Sequence, residues 1–313
     1  MKKNKEHLNT TPKVIVLILS YNGKHLLKEA IDSYLANDYP NYEVVVIDNG
    51  SVDDTKAYVE ANWRNVKVIR TEKNLGYSGG ANFGLEYAFD KNNADFVLFT
   101  NNDVHADNNV IKSLVETALI DDKIAFTVGK VYYYDNPDTL HSVGKKFDEF
   151  WWNGGHIGRN EKDVGQYDKI SERHWCDDIY WLINRKVYED IGGYDTEFFL
   201  QSEDFDYQAR AKKKGYKIFY TPEAKLWHMT SATIGRGSAY VIFFEVRNKL
   251  IVQMKHRAKE MYEKVITTKR LQIIKATPKL LVKMRFKYVF RMWKGYFSAL
   301  RWGRRNGKLK KWI

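Results

Sequence analysis

Apolar residues in the first hundred positions fall into two alternating textures. Short runs such as VIVLILS (14–20), YEVVVID (42–48), VKVIR (66–70) and DFVLFT (95–100) are largely apolar, with no alternation of polar positions. Between them lie KHLLKEAIDSYLAN (24–37), DDTKAYVEANW (53–63) and SGGANFGLEYAFDKN (78–92), where apolar residues recur three and four apart. Continuous apolar strands are buried on both faces, and amphipathic helices between them supply the cover. The pattern predicts an α/β fold: a doubly wound, mostly parallel central sheet flanked by helices.

From about residue 124 the rhythm changes. IAFTVGKVYYY, the Trp- and Gly-rich FWWNGGHIGRN and HWCDDIYWLINRKVYEDIGGYD read as mixed-sheet and loop material completing the same domain. Past Tyr240 the chain reads as helical, with a break expected near Pro278. The expected division is a disordered tail at 1–12, an α/β domain at 13–240 and a basic amphipathic helical extension at 241–313. No repeat or low-complexity segment is present.

Charge sharpens that division. Residues 247–313 hold 21 Lys and Arg against two acids, Glu260 and Glu263. This segment is therefore +19 and the remainder −7, within a total of +12. Such asymmetry implies two parts with different partners. The single cysteine, Cys176, rules out an internal disulfide and reads as structural. With no leader-like segment and no apolar run near the ~18 residues of a membrane span, a cytosolic location is expected.

Candidate chemistry gathers at strand ends, where open α/β sheets bind ligands. VIVLILS ends in Ser20, Tyr21 and Asn22; YEVVVID ends in Asp48; DFVLFT runs into Asn101, Asn102 and Asp103. Asp103 is a hard oxygen ligand of the kind that holds Mg²⁺ or Mn²⁺ beside phosphates. Asp53, Asp54 and Asp107 read as helix caps. NLGYSGGANFG (74–84) sets four glycines before a helix, but neither the G-x-G-x-x-G nor the P-loop fingerprint is present, so a strand-to-helix turn is expected. In QSEDFDYQAR, Ser202 is the expected N-cap, and the helix dipole would keep Glu203 and Asp204 ionised. Asp206 and Arg210 read as a surface pair. His228, beside Trp227, reads from its setting alone as a packed residue.

Taken in order, LSYNG, VVVIDNGSVDDT, NLGYSGGANFG, TNND, IGGYDTEFFLQSEDFDYQAR and LWHMTSATIG…VRNKL resemble the family 2 glycosyltransferases. The resemblance spans roughly residues 13–250 and is closest to the rhamnosyltransferase-like enzymes of polysaccharide assembly. It implies the GT-A fold and transfer with inversion from a nucleotide-diphosphate sugar donor to a glycan or lipid-linked acceptor. By the same resemblance, Ser20, Tyr21, Asn22, Asp48, Asn74, Gly76, Gly80, Asn101 and Asn102 contact the nucleotide sugar. Asp103 and His228 hold Mg²⁺ or Mn²⁺, and Asp204, next to Glu203, is the catalytic base. In TNND an asparagine replaces the first aspartate of the family's D-x-D. Gly79 and Gly80 stand where many members have an arginine, which would shift diphosphate neutralisation to the metal or to Arg236 and Arg247. Trp151, Trp152, Trp175 and Trp181 are expected on the acceptor side, since aromatic rings suit sugar faces and lipid carriers.

Two alternatives fit less well. A sugar nucleotidyltransferase should carry a G-x-G-x-R-rich loop after its first strand, where SYNGKHLL stands. A nucleic-acid-binding protein would account for the basic tail but not for the strand-end motifs, so no nucleic-acid partner is expected. Projected as a helix from Lys279, the tail puts Val282, Phe286, Val289, Trp293, Phe297 and Leu300 on one face, with Lys283, Lys287, Arg291, Lys294 and Arg301 on another. That is the pattern of a helix lying on an anionic membrane, here the inner face of the cell membrane. The alternative is packing on the α/β domain or on the second subunit of a homodimer.

Overall fold

The computed structural model describes residues 11–230 and 238–310. Most of the expected tail at 1–12, and Arg236, lie outside the described residues. The chain opens as β1 (Val14–Ser20), α1 (Leu27–Leu35), β2 (Tyr42–Asp48), α2 (Thr55–Asn62), β3 (Lys67–Arg70), α3 (Gly76–Leu85) and β4 (Phe96–Asn101). It continues through β5 (Val104–Ala106), α4 (Val110–Ala118), β6 (Ile124–Tyr133), β7 (Asn136–Ser142), β8 (Ser171–Arg173), β9 (Tyr180–Asn184), α5 (Arg185–Ile191), α6 (Glu203–Lys213) and β10 (Lys217–His228). Three helices follow: α7 (Ala239–His256), α8 (Lys259–Val282) and α9 (Phe286–Arg305).

One sheet runs in the order β3-β2-β1-β4-β9-β6-β10-β5. Its first half, β3-β2-β1-β4, is parallel, as the unbroken apolar runs predict. The second half is mixed, because β9 enters antiparallel between β4 and β6 while β10 runs parallel to β6. Both faces are buried. Val14, Val16 and Ile18 pack into one core with Val44, Val46 and Leu98, while Ile15 and Leu17 join Val45, Ile47 and Phe99 in the other.

The extension builds a third core. Leu250, Ile251 and Met254 of α7 meet Tyr296, Ala299 and Leu300 of α9 and Val265, Ile266 and Ile273 of α8. Glycines permit the close approach: a Cβ at Gly295 would lie 2.6 Å from the Phe243 carbonyl oxygen. Leu300 is therefore internal, Val289 and Trp293 are half-buried, and Phe286 and Phe297 stay exposed. Pro278 lies inside α8 without ending it, in the helix's last turns before Val282. The break comes at Met284, whose φ of 54° is left-handed, so Val282 does not share a helix with Phe286.

Three local expectations are also corrected. Gly76 is the first residue of α3 rather than part of a preceding turn. A Cβ at Gly84 would lie 2.3 Å from Ile47 Cδ1, so glycine there lets α3 sit close on the sheet. Ser202 occupies the N-cap position of α6 without a capping side-chain hydrogen bond. Asp206 is not a surface residue but fully buried. Besides Arg210, it binds Lys255 at 2.5 Å and His256 at 2.8 Å, both at the end of α7. Tertiary packing of α7 on α6 decides this, which an i,i+4 spacing cannot reveal.

Burial alone would raise the Asp206 pKa, but the His256 hydrogen bond and the Lys255 and Arg210 charges outweigh it and hold the carboxyl well below its usual range. Its contribution to stability is therefore complete above the unfolded carboxylate pKa and is lost as pH falls towards the folded value. Asp206→Ala leaves buried cations without their anion. It should lower unfolding free energy by about 3–5 kcal/mol and flatten the acid side of the stability profile, as read by urea denaturation between pH 3 and 8. An unchanged midpoint would contradict this.

Candidate active site

Two cavities open at the carboxyl ends of the parallel strands, of about 710 Å³ and 340 Å³, and both are lined by Asp178, Gln201 and Glu203. The larger is walled by the ends of β1, β2 and β4 and by the start of α3. Tyr21 and Asn22 border it directly. Asn22 accepts from Val52 N–H at 2.8 Å and donates its own N–H to Ser51 Oγ, which joins the loops after β1 and β2. Ser20 lies beneath, its hydroxyl accepting from Asn102. Asp48 stays off the cavity, because its buried carboxylate accepts from Ser51 N–H and pairs with Arg70. The neighbouring Asn49 reaches the cavity instead, donating to the Gly76 carbonyl at 2.9 Å and accepting from Leu75 N–H. Asn74 and Gly76 line the wall. Gly80 faces the sheet, where a Cβ would meet Leu19 and Asn49 at 2.8 and 2.9 Å.

At the far wall stand Asn101, Asn102 and Asp103. Antiparallel pairing of Val104 with His228 brings the end of β10 to Asp103. The result is a contact of 3.2 Å between His228 Nε2 and Asp103 Oδ1, both residues buried. Among the described residues no group of three or more His, Cys, Asp or Glu is arranged to hold a metal ion by itself. A cation here would thus have Asp103 and His228 as protein donors, with its other ligands from a bound molecule. That set fits Mg²⁺ or Mn²⁺, which keep substrate phosphates and water in their coordination sphere.

The smaller cavity holds the carboxylates. Gln201 and Ser202 have φ of 71° and 72°, a left-handed pair without glycine. Such strain persists only where surrounding structure imposes it. Here the buried Asn248 of α7 donates to the Leu200 and Gln201 carbonyls at 2.8 and 2.9 Å. The kink aims Glu203 and Asp204 into the cavity, opposite Asp177 and Asp178 from the segment before β9. Lys145 Nζ lies among them, 2.5 Å from Asp177 Oδ1 and 3.3 Å from Asp204 Oδ2. His156 Nδ1 is 3.0 Å from the other Asp177 oxygen.

Charge follows from this crowding. Burial drives the Glu203 and Asp178 carboxyls well above their usual range, and neighbouring carboxylates add to the rise. Burial also raises Asp204, but the Lys145 charge opposes it. Asp177 is held far down, with the Lys145 charge and the His156 hydrogen bond outweighing burial. For Glu203, the expectation that the helix dipole keeps the carboxylate ionised is overtaken by burial; for Asp204, burial works against the Lys145 charge.

Of the four tryptophans, Trp151 and Trp152 line the smaller cavity. Trp175 is buried beneath them, 5.3 Å from the Trp152 ring. Trp181 is excluded from that side: it stacks on Phe126 at 4.4 Å in the sheet core, because β9 turns alternate residues inward. Arg247 is likewise committed elsewhere, to Glu197, Asn248 and Ser298. Sequence reasoning missed Asn49, Tyr77, Lys145, Asp177, Asp178 and Gln201. The available signal was CDD directly ahead of IYWLI, two acids at the start of a buried strand.

Among known proteins, the model of the Glycosyl transferase family 2 matches residues 15–192, more than half of the chain. A relative from Mycobacterium tuberculosis, N-acetylglucosaminyl-diphospho-decaprenol L-rhamnosyltransferase, is 26% identical over 253 residues, which is 72% of this chain and 78% of that protein. Galactofuranosyltransferase GlfT2 of the same organism is 25% identical over 202 residues, 60% of this chain. This match spans only 32% of GlfT2's length. In fold, the chain is similar to the crystal structure of GalNAc-T7 with UDP, GalNAc and Mn²⁺, with a TM-score of 0.59 and 17% identity. That similarity covers 78% of this chain and 48% of the other.

Proposed function

We infer, since this chain belongs to glycosyl transferase family 2, that it transfers a sugar with inversion from a nucleotide-diphosphate donor to a glycan or lipid-linked acceptor in cell-surface polysaccharide assembly. The carrying observation is the pair of joined cavities. The strand-end asparagines and the Asp103–His228 pair border one, and the Asp204 carboxylate borders only the other. The donor takes the larger cavity and the acceptor the smaller, so that they meet at Asp178 and Glu203. Rhamnose is the favoured sugar, since the mycobacterial rhamnosyltransferase aligns over most of both chains.

Asp204 takes the proton of the acceptor hydroxyl as its oxygen attacks the anomeric carbon from the face opposite the diphosphate. The new carbon–oxygen bond forms while the bond to the diphosphate breaks, and its electron pair leaves with the nucleotide. Asp103 and His228 would hold Mg²⁺ or Mn²⁺, whose charge stabilises the departing diphosphate. Trp151 and Trp152 offer flat faces to the acceptor. Nothing in this route needs a nucleophile on the protein.

A membrane surface is the proposed partner of the extension. None of the described helices is long and apolar enough to cross a bilayer. Residues 281–287, LVKMRFK, are all exposed and mix Leu281, Val282, Met284 and Phe286 with Lys283, Arg285 and Lys287. Phe290 continues the patch along α9. Arg291 lies 6.0 Å over the ring of Tyr240, which lines the larger cavity, so the patch borders the mouth of the cleft. A second copy of the chain is a poor occupant, because no acid follows Glu263 to neutralise the facing lysines and arginines. Each Lys or Arg near an anionic bilayer contributes about 1 kcal/mol.

Asp204→Asn should lower transfer by about 10²–10⁴-fold while leaving donor binding intact, measured by released nucleotide diphosphate. Rates within a few-fold of the unmodified protein would remove the base assignment. EDTA should abolish transfer and excess Mg²⁺ or Mn²⁺ restore it, and Asp103→Ala should weaken donor binding where Asp107→Ala does not. Full activity after chelation would end the metal reading. On vesicles, binding should require anionic lipid, fall with salt, and drop at least tenfold in Val282→Asp/Phe286→Asp. Equal binding to neutral vesicles, or none at low salt, would refute membrane docking.

A further inference from the structure

We propose that Lys145, clamped by Asp177, is a positioning residue that fixes the orientation and charge of the Asp204 carboxylate in the smaller cavity. This rests on the assignment of Asp204 as base. Lys145 is buried, and its ammonium sits 2.5 Å from Asp177 Oδ1, 3.3 Å from Asp204 Oδ2 and 4.7 Å from the Phe205 ring centroid. Asp177 is in turn gripped from behind, by His156 at 3.0 Å and the Ser142 hydroxyl at 3.3 Å. The Lys145 backbone is anchored too, its N–H donating to the Trp175 carbonyl at 2.8 Å.

The lysine is thus not a floppy side chain that happens to reach an acid. It is a fixed cation, closer to one carboxylate and offering its remaining donor capacity to the other. A base at this site needs such a device, because it must be ionised before the acceptor arrives. Apart from the Phe205 backbone N–H at the start of α6, the other influences here favour the neutral acid. Burial does so, and so does the Asp177 carboxylate from the segment before β9; Asp178 from the same segment and Glu203 of α6 face the same cavity. Glu245 and Lys249 of α7 line the more open part of the same cavity. Lys145 is the cation that touches Asp204, and Asp177 determines how much of its charge Asp204 receives. The two are therefore opposed: Lys145 favours the ionised base and Asp177 disfavours it.

The test is the acid limb of the kcat profile for donor turnover with a saturating acceptor, read on the full chain with both single variants. Lys145→Gln removes the cation, so the limb should move to higher pH by about one to three pH units. kcat at the lower pH should fall at least tenfold, with donor KM within a few-fold of the unmodified protein. Asp177→Asn removes the competing carboxylate and frees the ammonium, so the limb should move to lower pH. Shifts of opposite sign support the proposal. Two variants that lose rate evenly at every pH, with the limb unmoved, overturn it and leave Lys145 a structural residue. If Lys145→Gln does not fold by circular dichroism, the direction of the Asp177→Asn shift decides alone. Asp204→Asn separates the two levels of the argument. If it retains transfer, the base assignment fails and this proposal with it; if it is inactive while the limb stays put in both variants, only the role of Lys145 fails.

Discussion

The site depends on α7 being locked to the strained turn before α6. Gln201 and Ser202 hold left-handed backbone that side chains other than glycine adopt at a cost of order 1–3 kcal/mol each. Asn248 stabilises that conformation by donating to two successive carbonyls of the turn. One turn further along α6, Asp206 gathers Arg210 from its own helix and Lys255 and His256 from the end of α7. Asn248 and Asp206 are themselves fully buried, which limits competition from water at both contacts. Without α7, Glu203 and Asp204 would have no reason to point where they do. The helical extension is therefore part of the active-site scaffold as well as a basic tail.

Topology decides what the turn faces. Were the sheet parallel throughout, the loops at the carboxyl strand ends would be the sole source of site residues. Instead β9 runs antiparallel beside β4, with Tyr180 opposite Thr100. The beginning of β9 thus lies next to the end of β4, and Asp177 and Asp178 join the cluster from the wrong end of their strand. Tyr77 ties the join, its hydroxyl donating to the Asp178 carbonyl at 3.1 Å. The larger cavity is built by parallel strand ends and the smaller by this reversal, and the two meet at Asp178 and Glu203.

The same division explains what could be read from the sequence. Parallel strands buried on both faces leave an unmistakable mark, and β1 to β4 follow the runs that predict them almost residue for residue. Their polar ends, Asn22 and Asn101 to Asp103, were legible for the same reason. For Asp48, sequence shows a carboxylate at a strand end but not the Arg70 that pairs with it. Trp151, Trp152 and Trp181 look alike in the chain, and only strand pairing separates a cavity wall from a stacked core ring. Lys145 was invisible because its partners Asp177 and Asp204 are 32 and 59 residues away, and no local period encodes such contacts. The tail was half legible: its amphipathic period is real, but much of the apolar stripe faces α7, leaving the α8–α9 tip and isolated phenylalanines outside.

Proton accounting then narrows the roles of the acids. Asp177, Asp178, Glu203 and Asp204 surround a single buried ammonium, and four ionised carboxylates could not coexist there without water. The cluster relieves this by protonation where no cation is in contact. Asp178 and Glu203, pushed furthest up by burial and by one another, are the groups in the cluster that take up protons most readily. A protonated carboxyl donates a hydrogen bond and cannot act as a base, so these two suit hydroxyl groups of a sugar passing between the cavities. Asp177 is ionised but occupied by Lys145 and His156 on both oxygens. That leaves Asp204, in contact with the cation yet more loosely than Asp177, as the carboxylate with both a charge to offer and a lone pair facing the smaller cavity. The proposed assignment of the base to Asp204 is thus supported by the environment of its three neighbours as much as by its own.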